Sequence, residues 1–421
     1  ALRDQLTKEL SDRGALKLLE ELELPVSDVL ANMERIGVAI DKKILKKQSD
    51  SLLNEVNAQS QVAYESVGHE FNVASPKQLQ VVLFDELKLP KTKRIKTGFT
   101  TDAESLQWLY SETKHPVLEA LLKIREASKL QSVVEGLLSE VAGDGRIHTH
   151  FQQTVAATGR LSSTGPNLQN IPIRSELGRK IRDGFVAGKG FDGIFTADYS
   201  QIEMRILAHL AEDVKLLEAF ASGEDLHSTV ASLVFGVKPT EVDSEMRRQI
   251  KAMSYGLAYG LSAFGLSQQL DISPSEATAL MEKYYLRFGG IRDYLATVVK
   301  QAKKDGYTET LMGRRRYLPD LQSDNKFKRD IAERAALNAP IQGTAADIIK
   351  LAMIAVDAQL KLQNLDAYLL LQVHDELVLE VKNEHVERVK AMLPIAMSGV
   401  ANLAVPLLVE VGVGKNWDEA H

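Results

Sequence analysis

Ala367-Tyr-Leu-Leu-Leu-Gln-Val-His-Asp375-Glu-Leu-Val-Leu-Glu-Val381 is an apolar run broken at its centre by His374, Asp375 and Glu376. Both flanks are strand-like, and the polar break between them predicts a hairpin. An acid pair in such a run is costly to bury unless something compensates its charge. A turn at a sheet edge with a bound divalent cation would do so. Gly193-Ile-Phe-Thr-Ala-Asp198 has the same setting, a buried strand ending in an acid. Two strand-end carboxylates on one sheet could hold two Mg²⁺ ions about 3.5–4 Å apart, the spacing of two-metal phosphoryl chemistry. The plainer alternative makes each Asp an ordinary turn residue.

Outward from these strands the chain changes character several times. Residues 1–140 read as mostly helical, with Leu52, Val56, Leu118, Leu121, Leu122, Ile124 and Leu130 near helical spacing. Ser75-Pro76 reads as a helix start, Ser as cap and Pro at the first position. The basic, Thr-rich stretch Leu89–Thr101 is the best candidate for a mobile tip. Residues 143–197 read as strands and loops. Gln201–Ala211 has helical spacing, 212–330 is mainly helical, and Leu337–Leu362 reads as one long helix.

Three further segments carry chemistry. On Arg247-Arg-Gln-Ile-Lys251-Ala-Met-Ser-Tyr255-Gly-Leu-Ala-Tyr259, each step of four advances about 400°, so these four side chains sweep about 120° of helix surface. Two cations at one end suit a triphosphate, and two aromatic rings at the other suit a stacked base. A solvated basic turn followed by a packed aromatic stripe is the alternative. The turn-rich stretch Ala157-Thr-Gly-Arg160 to Asn167-Leu-Gln-Asn170-Ile-Pro172 carries many hydrogen-bonding groups, or is simply a long loop. Arg334, Asn338 and Gln342 share a helix face at spacing four. Arginine and amides can reach the minor-groove acceptors present on every base pair, or else serve as caps and helix–helix contacts.

The 421 residues predict two or three domains or subdomains. Hydrophobic residues at 44% and charged ones at 26% argue against wholesale disorder. The absence of cysteine excludes disulfides, Cys-ligated zinc, iron–sulfur clusters and thiol nucleophiles. No apolar run approaches the ~18 residues of a spanning helix, and the charged N-terminus is no signal peptide. A cytoplasmic protein without membrane partners is expected, and the start at Ala1 suggests a fragment. The net charge of −6 argues only weakly against nucleic acid, because binding depends on local clusters. Lys91, Lys93, Arg94 and Lys96 form one such cluster and Arg314, Arg315 and Arg316 another, each equally readable as solvated surface.

Taken together and in order, four segments resemble the polymerase region of family A DNA polymerases, the bacterial DNA polymerase I type. They are Thr158-Gly-Arg-Leu-Ser-Ser with Pro166-Asn-Leu-Gln-Asn-Ile-Pro172; Asp198-Tyr-Ser-Gln-Ile-Glu203-Met-Arg-Ile-Leu-Ala-His; Arg247-x3-Lys251-x3-Tyr255-Gly-x2-Tyr259-Gly; and Gln372-Val-His-Asp375-Glu376. The similarity runs from about Leu24 to the C-terminus. It implies an α+β right-hand fold: a helical thumb at 25–140 with Lys91, Lys93, Arg94 and Lys96 at its tip on the duplex, a palm with an antiparallel sheet at 141–211 and 331–421, and helical fingers at 212–330. Residues 1–24 would lead in from an absent upstream domain.

The resemblance also implies roles. Asp198 and Asp375 become ligands of two Mg²⁺ ions, with Mn²⁺ as the substitute metal, joined by the Tyr199 carbonyl, with Glu376 in support. Arg247 and Lys251 neutralise the triphosphate, and Lys251 can protonate pyrophosphate. Tyr255, Tyr259, Gln201 and His227 surround the nucleotide, and Glu203 blocks a 2′-OH. Arg160, Asn338, Gln342, Arg334 and His374 meet the DNA. The implied activity is DNA-templated extension of a primer 3′-OH with dNTPs in replication and repair, by a bacterial, nucleoid-associated monomer.

Many members carry Phe where this chain has Tyr255, and a hydroxyl there could stand in for a missing sugar 3′-OH. With about 24 residues ahead of the thumb, no 3′→5′ exonuclease is expected in this chain. Competing readings are an RNA-synthesising or reverse-transcribing polymerase, a silent nucleic-acid-binding module and a phosphohydrolase. Glu203 opposes the first. The joint presence of Asp198, Asp375, Arg247 and Lys251 opposes the second. The Arg247–Tyr259 face opposes the third.

Overall fold

The computed structural model describes residues 2–173, 175–223 and 225–421. The chain forms two compact units. The first comprises Ala1–Gly37, Thr149–Thr164 and Lys189–Val413; the second comprises Val38–His148, Gly165–Gly188 and Gly414–His421.

The first unit is built on a four-stranded sheet in the order Ala367–Val373, Glu376–Val381, Gly193–Tyr199, Val409–Gly414. The predicted hairpin is present, with Val373 opposite Glu376 and Ala367 opposite Val381. Glu376–Val381 pairs antiparallel with Gly193–Tyr199, setting Glu376 against Asp198 and Val381 against Gly193. Every residue of Glu376–Val381 is buried, as is all of Gly193–Tyr199 except Asp198. That explains why these strands read as continuous apolar runs rather than as alternating ones.

The helix predicted at 337–362 is longer, Lys326–Leu362, and begins where Asn325 caps the Phe327 and Lys328 amides. Pro340 sits inside it, where a proline forfeits a backbone hydrogen bond. Burial of Ala339, Pro340 and Ile341 outweighs the lost backbone hydrogen bond. Among the described residues this is the one helix long and apolar enough to cross a membrane, which the run-length reading missed. Its apolar stretch is 78% buried inside the protein, so it is a core helix. The segment between sheet and long helix carries successive helices, several opened by a side-chain cap: Asp213, Asp225, Asp243, Ser262 and Ser273.

In the second unit, the helices Lys42–Val67 and Pro116–Ser139 frame a core that includes Leu79, Leu83, Leu106, Leu109, Leu118 and Leu121. Ser75 caps its helix as expected, over Pro76. A small sheet joins Arg146–Ile147, Val38–Ile40 and Phe185–Val186. The basic stretch read as a mobile tip contains a hairpin, Arg94–Ile95 with Gly98–Phe99. Gln80 ties it down by accepting from the Phe99 amide at 3.2 Å. Composition alone could not foresee that tether.

Candidate active site

Asp198 and Asp375 come together because two strands end side by side. Asp198 lies near the end of its strand, opposite Glu376. Asp375 occupies the two-residue turn after Val373, and the Tyr199 amide donates to its carbonyl at 3.2 Å. His374, the other turn residue, has φ 55°, the positive-φ handedness that suits a tight hairpin. Tyr199 turns its ring inward, and its hydroxyl donates to the Met397 carbonyl at 2.7 Å. Only its backbone is left to serve a ligand at the strand end.

Burial, then the Glu203 carboxylate and that of Asp198, push the Asp375 carboxyl up to about 7; Arg160 pulls it down. The carboxylates concentrated here lack enough cation to offset them. Oxygen donors in this arrangement fit a hard divalent ion. A separate group, Asp366, Glu384 and His385, also brings ligand atoms within 4.8 Å of one another. There Asp366 is paired with Lys382 at 2.9 Å, and its amide donates to His385 Nδ1.

The raised Asp375 value has a consequence for stability. The folded protein keeps this proton between about pH 4 and 7, where the unfolded chain has released it, so stability falls as pH rises through that window. In EDTA at pH 8, Asp375→Asn should raise stability by about 1–2 kcal/mol, discounted for partial exposure. At pH 4 the gain should vanish. Thermal melts at both pH values check this, and equal melting temperatures for the two proteins at pH 8 would contradict it.

Glu203, 7% exposed, follows Gln201, which starts the helix Ile202–Ala211 from a φ of 56°. It accepts from Arg160 Nη2 at 2.6 Å and from the Tyr259 hydroxyl. Tyr259 closes the helix Ser244–Ala258, and Gln342 of the long helix also bonds its hydroxyl. Burial raises the Tyr255 hydroxyl, and the carboxylates of Glu203, Asp375 and Asp198 add to the effect. The aromatic end of that helix therefore faces the strand-end acids.

At the cationic end, Arg247 forms a two-pronged pair with Asp225, Nε to Oδ1 at 3.0 Å and Nη2 to Oδ2 at 2.7 Å. It also reaches Ser228 Oγ at 3.1 Å, and it holds the Asp225 carboxyl well below its usual range. Lys251 is exposed one turn on. His227 is buried and tilted against Tyr255, with ring centres 6.0 Å apart. Burial, Lys251 and Arg247 lower its pKa against the opposing pull of Asp225. Its Nδ1 has no hydrogen-bond partner among the described residues, nor has the buried Oδ1 of Asn338. Arg334 lies beside Gly260, just past Tyr259.

Lys91, Lys93, Arg94 and Lys96 are exposed in the second unit, with Lys91 Nζ 5.0 Å from the Phe99 ring centre. The arginine run is not one solvated cluster. Arg314 is buried among ion pairs, and Arg315 pairs with Glu309 at 2.6 Å over the Tyr307 ring. Sequence reasoning missed Asp225 and the partners of Arg314. Asp225 left a signal as a helix cap ahead of Ser228; Arg314 left none, because its partners are remote in sequence.

The family model for DNA polymerase family A matches residues 42–419. The DNA polymerase I of Mycobacterium bovis is 58% identical over 419 residues, covering 100% of this chain and 46% of that protein. That of Geobacillus stearothermophilus is 48% identical over 422 residues, again across 100% of this chain and 48% of its own length. The chain thus spans just under half the length of these relatives. Among solved structures, the POL domain of Pol1 from M. smegmatis, in complex with DNA primer-template and dNTP, has a TM-score of 0.95 at 57% identity. The match covers 99% of this chain and 74% of that one. The chain shares the α+β fold of that polymerase domain, and it belongs to DNA polymerase family A.

Proposed function

We propose that this chain is a DNA-templated DNA polymerase that adds dNTPs to a primer 3′-OH and releases pyrophosphate. The observation that carries the reading is Glu203, which accepts from Arg160 and from Tyr259 at the end of the helix that bears Arg247 and Lys251, beside the strand end of Asp198. The helix with the Arg247 and Lys251 cations and the strand-end acids therefore form one site.

Asp198 and Asp375, with the Tyr199 carbonyl, would hold two divalent ions, Mg²⁺ by preference. Those ions supply activation of the 3′-OH and charge neutralisation at the phosphates. The residues of the chain do the rest. Arg247 exchanges Asp225 for triphosphate oxygens, and Lys251 adds a second cation and donates a proton to departing pyrophosphate. His227 presents its buried ring beside them. Tyr255 packs against the incoming sugar, Tyr259 and Gln201 border the base and the gate, and Glu203 walls off a 2′-OH. Arg160, Asn338, Gln342 and Arg334 meet the minor groove at the primer end, with His374 near the primer. Glu376 braces the strand end beneath Asp198. Residues 212–330 act as fingers, and the hairpin of Lys91, Lys93, Arg94 and Lys96 serves the duplex backbone as part of a thumb. The setting is the bacterial cytoplasm at the nucleoid, with the protein acting as a monomer.

Primer extension with four dNTPs and Mg²⁺ tests this, with EDTA and rNTP controls. Metal-dependent, dNTP-selective extension is expected; tight primer-template binding without extension would leave only a binding module. A narrower expectation concerns Tyr255. Its hydroxyl can replace the hydrogen bond that a dideoxynucleotide's missing 3′-OH would have made. Tyr255→Phe should therefore lower dideoxynucleotide incorporation at least about tenfold while sparing dNTPs. Similar dideoxy rates for both enzymes in a competition assay would sink the idea.

A further inference from the structure

We propose that Arg314 is a positioning residue for Arg160, acting through a buried charge cluster that seats the Thr158–Gly159 peptide. The inference rests on the reading of Arg160 as a minor-groove contact at the primer end. The cluster joins three remote parts of the first unit. Arg314 Nε donates to Asp347 Oδ1 at 2.8 Å, and its Nη2 donates to Glu23. Lys350 Nζ donates to the same Glu23 oxygen at 2.7 Å, and Thr310 Oγ1 to Asp347 Oδ2 at 2.7 Å. The side chains of Asp347 and Lys350 are fully buried, and those of Glu23 and Arg314 are 16% exposed. Two cations meet two anions there. Buried ion clusters are seldom more stable than apolar packing of the same volume, so stability alone does not account for this one.

What the cluster touches supplies the reason. Gly159 has φ 81°, and a Cβ on it would lie 2.4 Å from Arg314 Nε and 2.6 Å from its Cδ. On the other side, a Cβ on Gly343 would sit 3.2 Å from the Thr158 carbonyl oxygen. The peptide is thus clasped between the Arg314 side chain and the long helix, next to Gln342. Gln153 adds a tether by donating to Glu23 Oε2 at 2.7 Å. Arg160 is the next residue, and its guanidinium reaches Glu203. A guanidinium that must meet one acceptor on a base pair needs its backbone fixed to within about half an ångström. Arg314, held on two sides, provides the wall.

The test is single-turnover incorporation from primers ending in guanine or in 3-deazaguanine, which lacks the minor-groove N3 acceptor. Wild type should slow about tenfold or more with the analogue. Arg160→Ala should be slow and indifferent to it. Arg314→Lys keeps the charge but changes the shape; Asp347→Asn removes the carboxylate that holds Arg314 and leaves the Thr158–Gly159 peptide unaltered in sequence. Both should lose most of the N3 dependence although Arg160 is present. In an Arg160→Ala background, Arg314→Lys should cost less than about twofold more. Asp347→Asn carries the test if Arg314→Lys does not fold. Folded Arg314→Lys or Asp347→Asn with the wild-type N3 ratio would overturn the positioning role. Arg160→Ala with that ratio would instead overturn the reading of Arg160 itself.

Discussion

Asp375→Ala should cut single-nucleotide incorporation by at least about 10³-fold while leaving primer-template affinity within a few-fold of wild type. The argument rests on place and charge. Asp375 sits in a two-residue turn beside Asp198, so its carboxylate cannot be replaced by a neighbour without breaking the hairpin register. Glu376 is the nearest acid in sequence, but it is a buried strand residue opposite Asp198. Phosphoryl transfer needs charge neutralised at the attacking and leaving oxygens, and little of that can come from elsewhere once one ligand is lost. DNA binding draws on other groups, so affinity should survive. Quench-flow incorporation and a fluorescence titration of labelled primer-template separate the two quantities. Residual incorporation within tenfold of wild type would remove Asp375 from the metal site.

Glu203→Ala should raise ribonucleotide use relative to dNTPs by about 10²-fold and slow dNTP incorporation as well. A gate against one extra hydroxyl works only if it does not yield. Glu203 is gripped from two sides, by Arg160 at 2.6 Å and by the Tyr259 hydroxyl, and it is buried. Swinging it away would leave both donors and the carboxylate unpaired, which is what makes the wall stiff. The same grip explains the second half of the prediction, since removing Glu203 also releases Arg160 and Tyr259. Incorporation rates for matched rNTP and dNTP pairs on one template read both effects. An unchanged rNTP-to-dNTP ratio would show that the discriminating wall is elsewhere.

The two strand-end acids were legible because their settings are extreme: apolar runs with a single polar break at 198 and at 374–376. The register that sets Glu376 against Asp198 was not, since pairing partners so far apart leave no local trace. The Arg247–Tyr259 face followed from helical periodicity alone, whereas the Asp225 partner of Arg247 looked like any other helix cap. The charge runs left surface and site equally open. Arg314 reads as solvated surface until Glu23, Asp347 and Lys350 are brought around it by the fold. The long helix begins eleven residues before the stretch read from the sequence, because 326–336 is rich in charge and only Ala332 and Ala336 there are buried. The basic hairpin at 94–99 depended on one glutamine, Gln80, that no pattern singles out.

The central sheet also has a history during synthesis. Gly193–Tyr199 leaves the ribosome about 180 residues before its partner Glu376–Val381. At elongation rates of about 5–20 residues per second, that is a wait of roughly 10–35 s. Throughout it, this strand, buried along most of its length in the folded sheet, lacks the hydrogen bonds of that neighbour. The nascent chain thus passes through a stage in which the strand that will carry Asp198 has an unpaired edge.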